Sequence, residues 1–193
     1  DKKATLELGG KAANIVFDDA PFEQAIEGVI NGIFFNQGEV CCAGSRLLVQ
    51  ESIAEPFVDR LKERLSTLRV GDPLDKNTDV GAINNAAQLA RINELIEAGI
   101  AEGAEMYQPP CELPARGYFV RPTLFTNVSQ SSRIAREEIF GPVLTVLLSV
   151  LFAVAGVDLN RRGLELDELV VQLLEAVATD DEVGVCLNHA LNV

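Results

Sequence analysis

Two neighbouring cysteines, Cys41 and Cys42, follow a glycine-containing turn in a stretch that could support nucleophilic chemistry. The sequence of residues 34–46 is FFNQGEVCCAGSR. A thiol placed just after a helix and a turn can be exposed at a strand edge, where backbone N–H groups stabilise a thiolate and an oxyanion. The residues alone leave two interpretations open, because free cysteines are more often buried as small apolar side chains than used as nucleophiles.

Two glutamates lie in short motifs that could also take part in chemistry. Glu7 precedes Gly9 and Gly10, where the backbone can approach a ligand closely. Glu138 lies in the motif EEIFGP at residues 137–142. Without further context, Glu7 fits a solvated strand residue and Glu138 fits a salt-bridge partner at a helix end.

The remaining cysteines and the histidine argue against other kinds of site. The four cysteines are Cys41, Cys42, Cys111 and Cys186. They lack the paired spacing of a zinc site and are too few for a secreted disulfide scaffold, so we expect reduced thiols in a cytoplasmic compartment. The only histidine, His189, lies near the C-terminus, which makes a Cys-His triad a poor alternative.

Composition and charge exclude some partners. The chain has 193 residues, 48% of them hydrophobic, which is enough to bury a sizeable core. Its net charge of -13 argues against binding nucleic acid or an anionic membrane surface, since an acidic surface repels both.

The apolar run over residues 140–157 is at the lower limit of a membrane span, and its flanking glycines and β-branched residues favour a buried strand. The N-terminus carries no secretory signal pattern, and we expect a piece of a longer chain.

Strands and helices alternate in the part of the chain that must position these residues. The predicted strands and extended segments are residues 4–8, 14–17, 46–50, 118–125 and 143–150. The first predicted helix runs from about 21 to 36–38, with Gly38 as a left-handed cap. The second runs from 52 to 69, with Ser52 and Glu55 as a capping box, and the third from about 89 to 103. This alternation predicts an α/β domain with a mostly parallel sheet.

The composition changes after about residue 150. Residues 151–193 contain two basic and eight acidic residues and no lysine. A helix over residues 164–178 and a strand over 183–187 are expected there. We therefore divide the chain into a domain at 1–150 and a divergent acidic tail at 151–193.

Three motifs together resemble the signatures of the aldehyde dehydrogenase superfamily. They are LELGGK at residues 6–11, FNQGxxC at 35–41 and EEIFGP at 137–142, in the family's order and spacing. The similarity covers residues 1 to about 148. It implies the three-layer α/β catalytic domain of the aldehyde dehydrogenase type, with a mostly parallel sheet and in incomplete form.

The resemblance implies the catalytic segment of an enzyme that oxidises an aldehyde to a carboxylic acid with NAD or NADP. Cys41 would attack the aldehyde to give a thiohemiacetal and then a thioester, and Glu7 would activate the hydrolytic water. Neither role needs a metal.

The resemblance also implies residues that bind the cofactor. Glu138 would hold the nicotinamide ribose, Phe140 would flank the nicotinamide ring, and the backbone of Leu8 and Gly9 would lie beside the carboxamide.

Two departures from the family pattern leave alternatives open. No dinucleotide-binding domain precedes the first motif and no GxGxxG fingerprint occurs, so the cofactor site is incomplete and a missing segment would have to complete it. The family's usual ending is also absent beyond residue 150. Uncovered sheet edges would favour a homo-oligomer. The rival interpretation is a non-enzymatic remnant that serves as an interaction or assembly module. A third is hydrolysis of activated esters without a cofactor.

Overall fold

A five-stranded sheet forms the centre of the computed structural model, which describes residues 2–5 and 8–149. The strands are β1 (Ala13–Val16), β2 (Arg46–Gln50), β3 (Glu105–Tyr107), β4 (Thr123–Thr126) and β5 (Val143–Ser149). Their order is β1-β2-β5-β4-β3, and all pairs are parallel except β3 with β4. The predicted α/β class with a mostly parallel sheet is confirmed.

Helices cover both faces of this sheet. They are α1 (Phe22–Phe34), α2 (Glu51–Leu65), α3 (Ala86–Ala101) and the single turn α4 (Arg133–Arg136). One apolar cluster joins α1 and α2 to Leu144 of β5, whereas the other joins α3 and α4 to Val143 of the same strand. Successive strand residues point to opposite faces, so the two clusters lie on opposite sides and the domain has three layers.

The apolar spacing explains why these segments are helical. The residues that α1 buries recur every three or four positions and form one stripe: Ile26, Val29, Ile30, Ile33 and Phe34. In α2 the same spacing buries Ala54, Phe57, Leu61 and Leu65. The three predicted helices are therefore present, although their ends differ from the prediction.

The predicted capping box at Ser52 and Glu55 is wrong. The N-cap of α2 is Gln50 and makes no side-chain capping hydrogen bond, because β2 continues directly into the helix. The Gln50 side chain instead donates from Nε2 to Asp18 Oδ2 at 2.9 Å and to Ser52 Oγ at 3.0 Å. The helix ends at Leu65, four residues before the predicted end.

Three predictions about strands differ from the structure. Residues 4, 5 and 8, the described part of the first predicted extended segment, form no strand. The strand predicted at 118–125 is only Thr123–Thr126, because Tyr118 accepts a hydrogen bond from Ile83 N–H outside the sheet and Pro122 has no N–H to donate. The short antiparallel strand β3 was not predicted.

The apolar run that begins at Phe140 contains β5 (Val143–Ser149), which agrees with the strand predicted at 143–150 over its described residues. Among residues 2–5 and 8–149, no helix is long and apolar enough to cross a membrane. The helix predicted at 164–178, the strand predicted at 183–187 and Val150 lie outside the described residues. The division at residue 150 stays a prediction.

Candidate functional site

The three motifs meet at the amino ends of β1, β2 and β5. Lys11 precedes β1, the two cysteines precede β2, and Phe140 precedes β5. These strands are parallel neighbours, with Ala13 paired to Arg46 and Arg46 paired to Thr145. Because the amino ends of parallel neighbours lie at one edge of a sheet, the fold brings together motifs that are far apart in sequence.

Cys41 and Cys42 occupy the centre of a tight turn at this edge. The N–H of Ala43 donates to Val40 O at 3.0 Å, which closes the turn, and both cysteines are exposed. The turn is anchored at Gly44, whose N–H donates to Gly32 O at 3.1 Å and whose carbonyl accepts from Asn14 Nδ2 at 3.0 Å. Cys41 thus lies on a fixed turn, and exposure alone does not distinguish it from Cys42.

A left-handed bend connects α1 to the cysteine turn. Asn36 and Gln37 have φ of 48°, and Gly38 has φ of 77°. Gly38 has the positive φ of the predicted cap, but it does not cap α1, because the helix ends four residues earlier, at Phe34, with Phe35 as its C-cap. A Cβ on Gly38 would lie 2.1 Å from the carbonyl oxygen of Gly141. The second motif therefore packs backbone to backbone against the third.

The Phe140 turn is held by α3. Phe140 has φ of 54°, a conformation that a residue with a side chain keeps only where its surroundings enforce it. Gln88 Nε2 donates to Ile139 O at 3.0 Å and to Phe140 O at 2.9 Å. Ile92 Cδ1 would lie 2.5 Å from a Cβ on Gly141, so the turn fits closely against α3.

Glu138 lies beside the first motif. A Cβ on Gly9 would be 2.1 Å from Glu138 Oε2, so the carboxylate occupies space that any side chain at position 9 would fill. Glu138 is half-buried, and within the described residues its carboxylate accepts no hydrogen bond. Leu8 is 75% exposed. Glu7 lies outside the described residues.

A buried lysine lies next to this contact. Lys11 is only 3% exposed, and its Nζ has no hydrogen-bond partner in the described part of the chain. Burial strips water from the ammonium and, with the positive charge of Arg46, lowers the pKa of Lys11 to about 7, despite the opposing effect of Glu138. The environment of the Lys11 amine therefore favours its neutral form.

The sequence indicated no role for Gln88 or Lys11. Lys11 is part of the first motif, and its burial near Arg46 and Glu138 depends on the tertiary structure. The contacts of Gln88 join residues more than fifty positions apart, and no local spacing could indicate them.

Comparison with known proteins agrees with this geometry. A model of the aldehyde dehydrogenase family matches residues 1–150. Retinal dehydrogenase 2 of Rattus norvegicus is 49% identical over 146 residues, which are 76% of this chain and 28% of that protein. Betaine aldehyde dehydrogenase of Brucella anthropi is 47% identical over 150 residues, 76% of this chain and 31% of that protein.

Solved structures show the same likeness. Betaine aldehyde dehydrogenase from Staphylococcus aureus, in complex with NAD+, gives a TM-score of 0.70 at 40% identity and covers 74% of this chain and 29% of its own. The NAD+ complex of an aldehyde dehydrogenase from Bacillus cereus gives 0.72 at 42% identity, over 76% and 30%. The chain spans less than a third of the length of these relatives. The chain belongs to the aldehyde dehydrogenase family.

Proposed function

We propose that this chain supplies the thiol segment of an NAD(P)-dependent aldehyde dehydrogenase, which oxidises an aldehyde to a carboxylic acid. The observation that carries the proposal is the meeting of three motifs at one sheet edge, with Cys41 exposed on an anchored turn. The relatives include retinal and betaine aldehyde dehydrogenases, whose names share an aldehyde as the substrate class.

Cys41 is the nucleophile in this proposal. Its thiolate attacks the carbonyl carbon to form a thiohemiacetal, and loss of hydride from that carbon leaves a thioester. Within the described residues, the backbone N–H groups of Cys41 and Cys42 donate no hydrogen bond and are available to the oxyanion that develops. Backbone donors fixed by a closed turn stabilise such charge without reorganising.

The residues beside the thiol turn fit a dinucleotide in part. The Glu138 carboxylate has no hydrogen-bond partner in the described residues and lies at a glycine, so it can accept from ribose hydroxyls. Phe140 would flank the nicotinamide ring, and the backbone of Leu8 and Gly9 would lie beside its carboxamide. The bound NAD or NADP supplies the hydride acceptor.

Glu7 is the proposed general base for hydrolysis of the thioester. It takes a proton from water as the water attacks the acyl carbon, which releases the carboxylic acid and the Cys41 thiol. Support comes from its place in the first motif, because two residues later Gly9 contacts Glu138.

Hydrolysis of an activated ester tests the thiol half of this chemistry without a hydride acceptor. We would compare the chain with its Cys41→Ser and Cys42→Ser variants and detect the acyl adduct by intact mass. We expect the parent chain to turn over the ester and to form an acyl adduct. Both signals should disappear in Cys41→Ser and persist in Cys42→Ser, a control that changes an equally exposed thiol. A folded chain that forms no adduct would instead favour a non-enzymatic remnant.

An interaction module is the second candidate, and specific surfaces favour it. Phe35 is 72% exposed and Leu8 is 75% exposed. Among the described strands, β1 pairs only with β2, and its Ile15 is 45% exposed. Open edges and apolar side chains promote association, so we expect a homo-oligomer or association with the missing cofactor-binding segment. A sharp monomer peak in light scattering would contradict the homo-oligomer.

The free thiols Cys41, Cys42 and Cys111 support a reducing compartment, and we propose a cytoplasmic location.

A further inference from the structure

Glu39 lies two residues before Cys41, at a position that the FNQGxxC motif leaves unspecified. It is half-buried, and both of its carboxylate oxygens accept hydrogen bonds. Oε1 accepts from the backbone N–H of Asn84 at 3.2 Å, and Oε2 accepts from Gln37 Nε2 at 3.1 Å. A carboxylate that joins two segments forty-five residues apart has a specific structural role.

The backbone of Glu39 closes the left-handed bend. Its N–H donates to Asn36 O at 3.1 Å, and its carbonyl accepts from Asn36 Nδ2 at 3.0 Å. Asn36 and Gln37 both have positive φ, which costs about 1–2 kcal/mol for each residue with a side chain. Two hydrogen bonds to the backbone of Glu39 thus close the bend that leads into the cysteine turn, and its side chain connects this bend to Asn84.

The other end of the Glu39 contact is the start of α3. Asn84 directly precedes Asn85, the N-cap of α3, whose side chain accepts from Gln88 N–H. One turn into the helix, Gln88 fastens the Phe140 turn through two carbonyls. The first turn of α3 thus connects to the thiol loop through Glu39 and to the Phe140 turn through Gln88.

We infer that Glu39 is a positioning residue that fixes the Cys41 turn relative to α3 and, through α3, relative to the Phe140 turn. The inference rests on the proposed function of Cys41. Acyl transfer depends steeply on the placement of the nucleophile, and a misplacement of about 1 Å can cost roughly 100-fold in rate. The hydrogen bond from the backbone N–H of Asn84 to the Glu39 carboxylate connects the loop to the start of α3, and the bond from Gln37 Nε2 holds that carboxylate against the bend.

The test compares Glu39→Ala and Glu39→Gln with Glu97→Gln in the 193-residue chain. Glu97→Gln makes the same change of charge on the exposed side of α3, away from both turns. Hydrogen exchange by NMR at the amides of Asn84, Glu39 and Ala43 reports the connection itself. The Cys41-dependent turnover of an activated ester, separated into kcat and KM, reports its consequence.

We expect Glu39→Ala to accelerate exchange at these amides and to lower kcat roughly 10-fold or more, with KM within about twofold. Glu39→Gln should be intermediate, because an amide keeps one acceptor oxygen, and Glu97→Gln should match the parent. Unchanged exchange in folded Glu39→Ala would overturn the inference, and so would altered exchange with unchanged kcat. A parent chain without Cys41-dependent turnover would instead refute the proposed function and the positioning role, while faster exchange in Glu39→Ala would still establish the Glu39–Asn84 connection.

Discussion

The backbone of Gly9 lies directly against the side-chain carboxylate of Glu138. A Cβ at position 9 would be 2.1 Å from Oε2 and 2.9 Å from Cδ of that glutamate. The first and third motifs are therefore in contact at the amino ends of β1 and β5. This contact supports the proposal that the two segments act together in binding the cofactor.

Replacing Gly9 with alanine should displace Glu138 with little loss of stability. The group that must move is the end of a flexible side chain, so we expect the free energy of unfolding to change by less than about 1 kcal/mol. In a form of the protein that binds NAD+, titration should show Gly9→Ala and Glu138→Ala weakening binding by similar factors. The double variant should be no weaker than either single variant, because both remove one contact. Additive losses would contradict the shared role.

Replacing Gly38 with alanine should be far more harmful. Here a Cβ would lie 2.1 Å from a backbone oxygen, that of Gly141, and φ is 77°. We expect a loss of about 2–4 kcal/mol in the free energy of unfolding, measured by urea denaturation, with loss of ester turnover.

Two other glycines serve as controls that separate the effect of the positive φ from the effect of the contact with Gly141. Gly103 also has a positive φ, of 92°, but a Cβ there would meet nothing within 4 Å, so Gly103→Ala should cost only about 1 kcal/mol. Gly28 lies within α1 and is equally uncrowded, so Gly28→Ala should stabilise the protein by about 0.5–1 kcal/mol. Equal effects at Gly38 and Gly103 would show that the Gly38–Gly141 contact contributes nothing.

The buried amine of Lys11 should make stability depend on pH. Its pKa falls from 10.5 to about 7 on folding, because burial removes water and Arg46 adds repulsion. Between these two values the unfolded chain binds more protons than the folded protein, so stability rises with pH across that window. The full effect is up to about 5 kcal/mol.

A Lys11→Met variant should be more stable than the parent at about pH 6 and nearly equal to it at about pH 10. Urea unfolding at both pH values measures the difference. Lys3→Met, at an exposed lysine, should match the parent throughout. An advantage of Lys11→Met that grows with pH would contradict the buried, unpaired amine.

Removing the Gln88 side chain should release the Phe140 turn. Two carbonyls would lose their donor, and we expect Gln88→Ala to lower the free energy of unfolding by about 1–3 kcal/mol. Gln24, an exposed glutamine on α1, provides the matched control, and Gln24→Ala should stay within about 0.5 kcal/mol of the parent. NMR should show altered amide shifts around Phe140 in Gln88→Ala only. If these shifts stay unchanged, Gln88 does not hold the turn.

The sequence by itself determined the class of fold and the order of its main elements. Apolar residues recur along α1 and α2 at helical spacing, and the mostly apolar run at 143–149 is typical of a buried parallel strand. These patterns arise within one helix or strand, where the spacing of the apolar residues directly determines which face is buried. The three motifs are likewise local, and they were sufficient to indicate the family and to predict Cys41 as the nucleophile.

The tertiary structure alone decided which residues meet. The contacts of Gly9 with Glu138, of Gly38 with Gly141 and of Glu39 with Asn84 depend on strand order and on α3 packing against the Phe140 turn. The boundaries of α2 and β4 also depended on tertiary surroundings, through the partners of Gln50 and Tyr118. Local spacing encodes which face of an element is apolar, whereas contacts between distant segments are set by how complete elements pack. That is the physical reason why Gln88 and the burial of Lys11 became visible only in the folded chain.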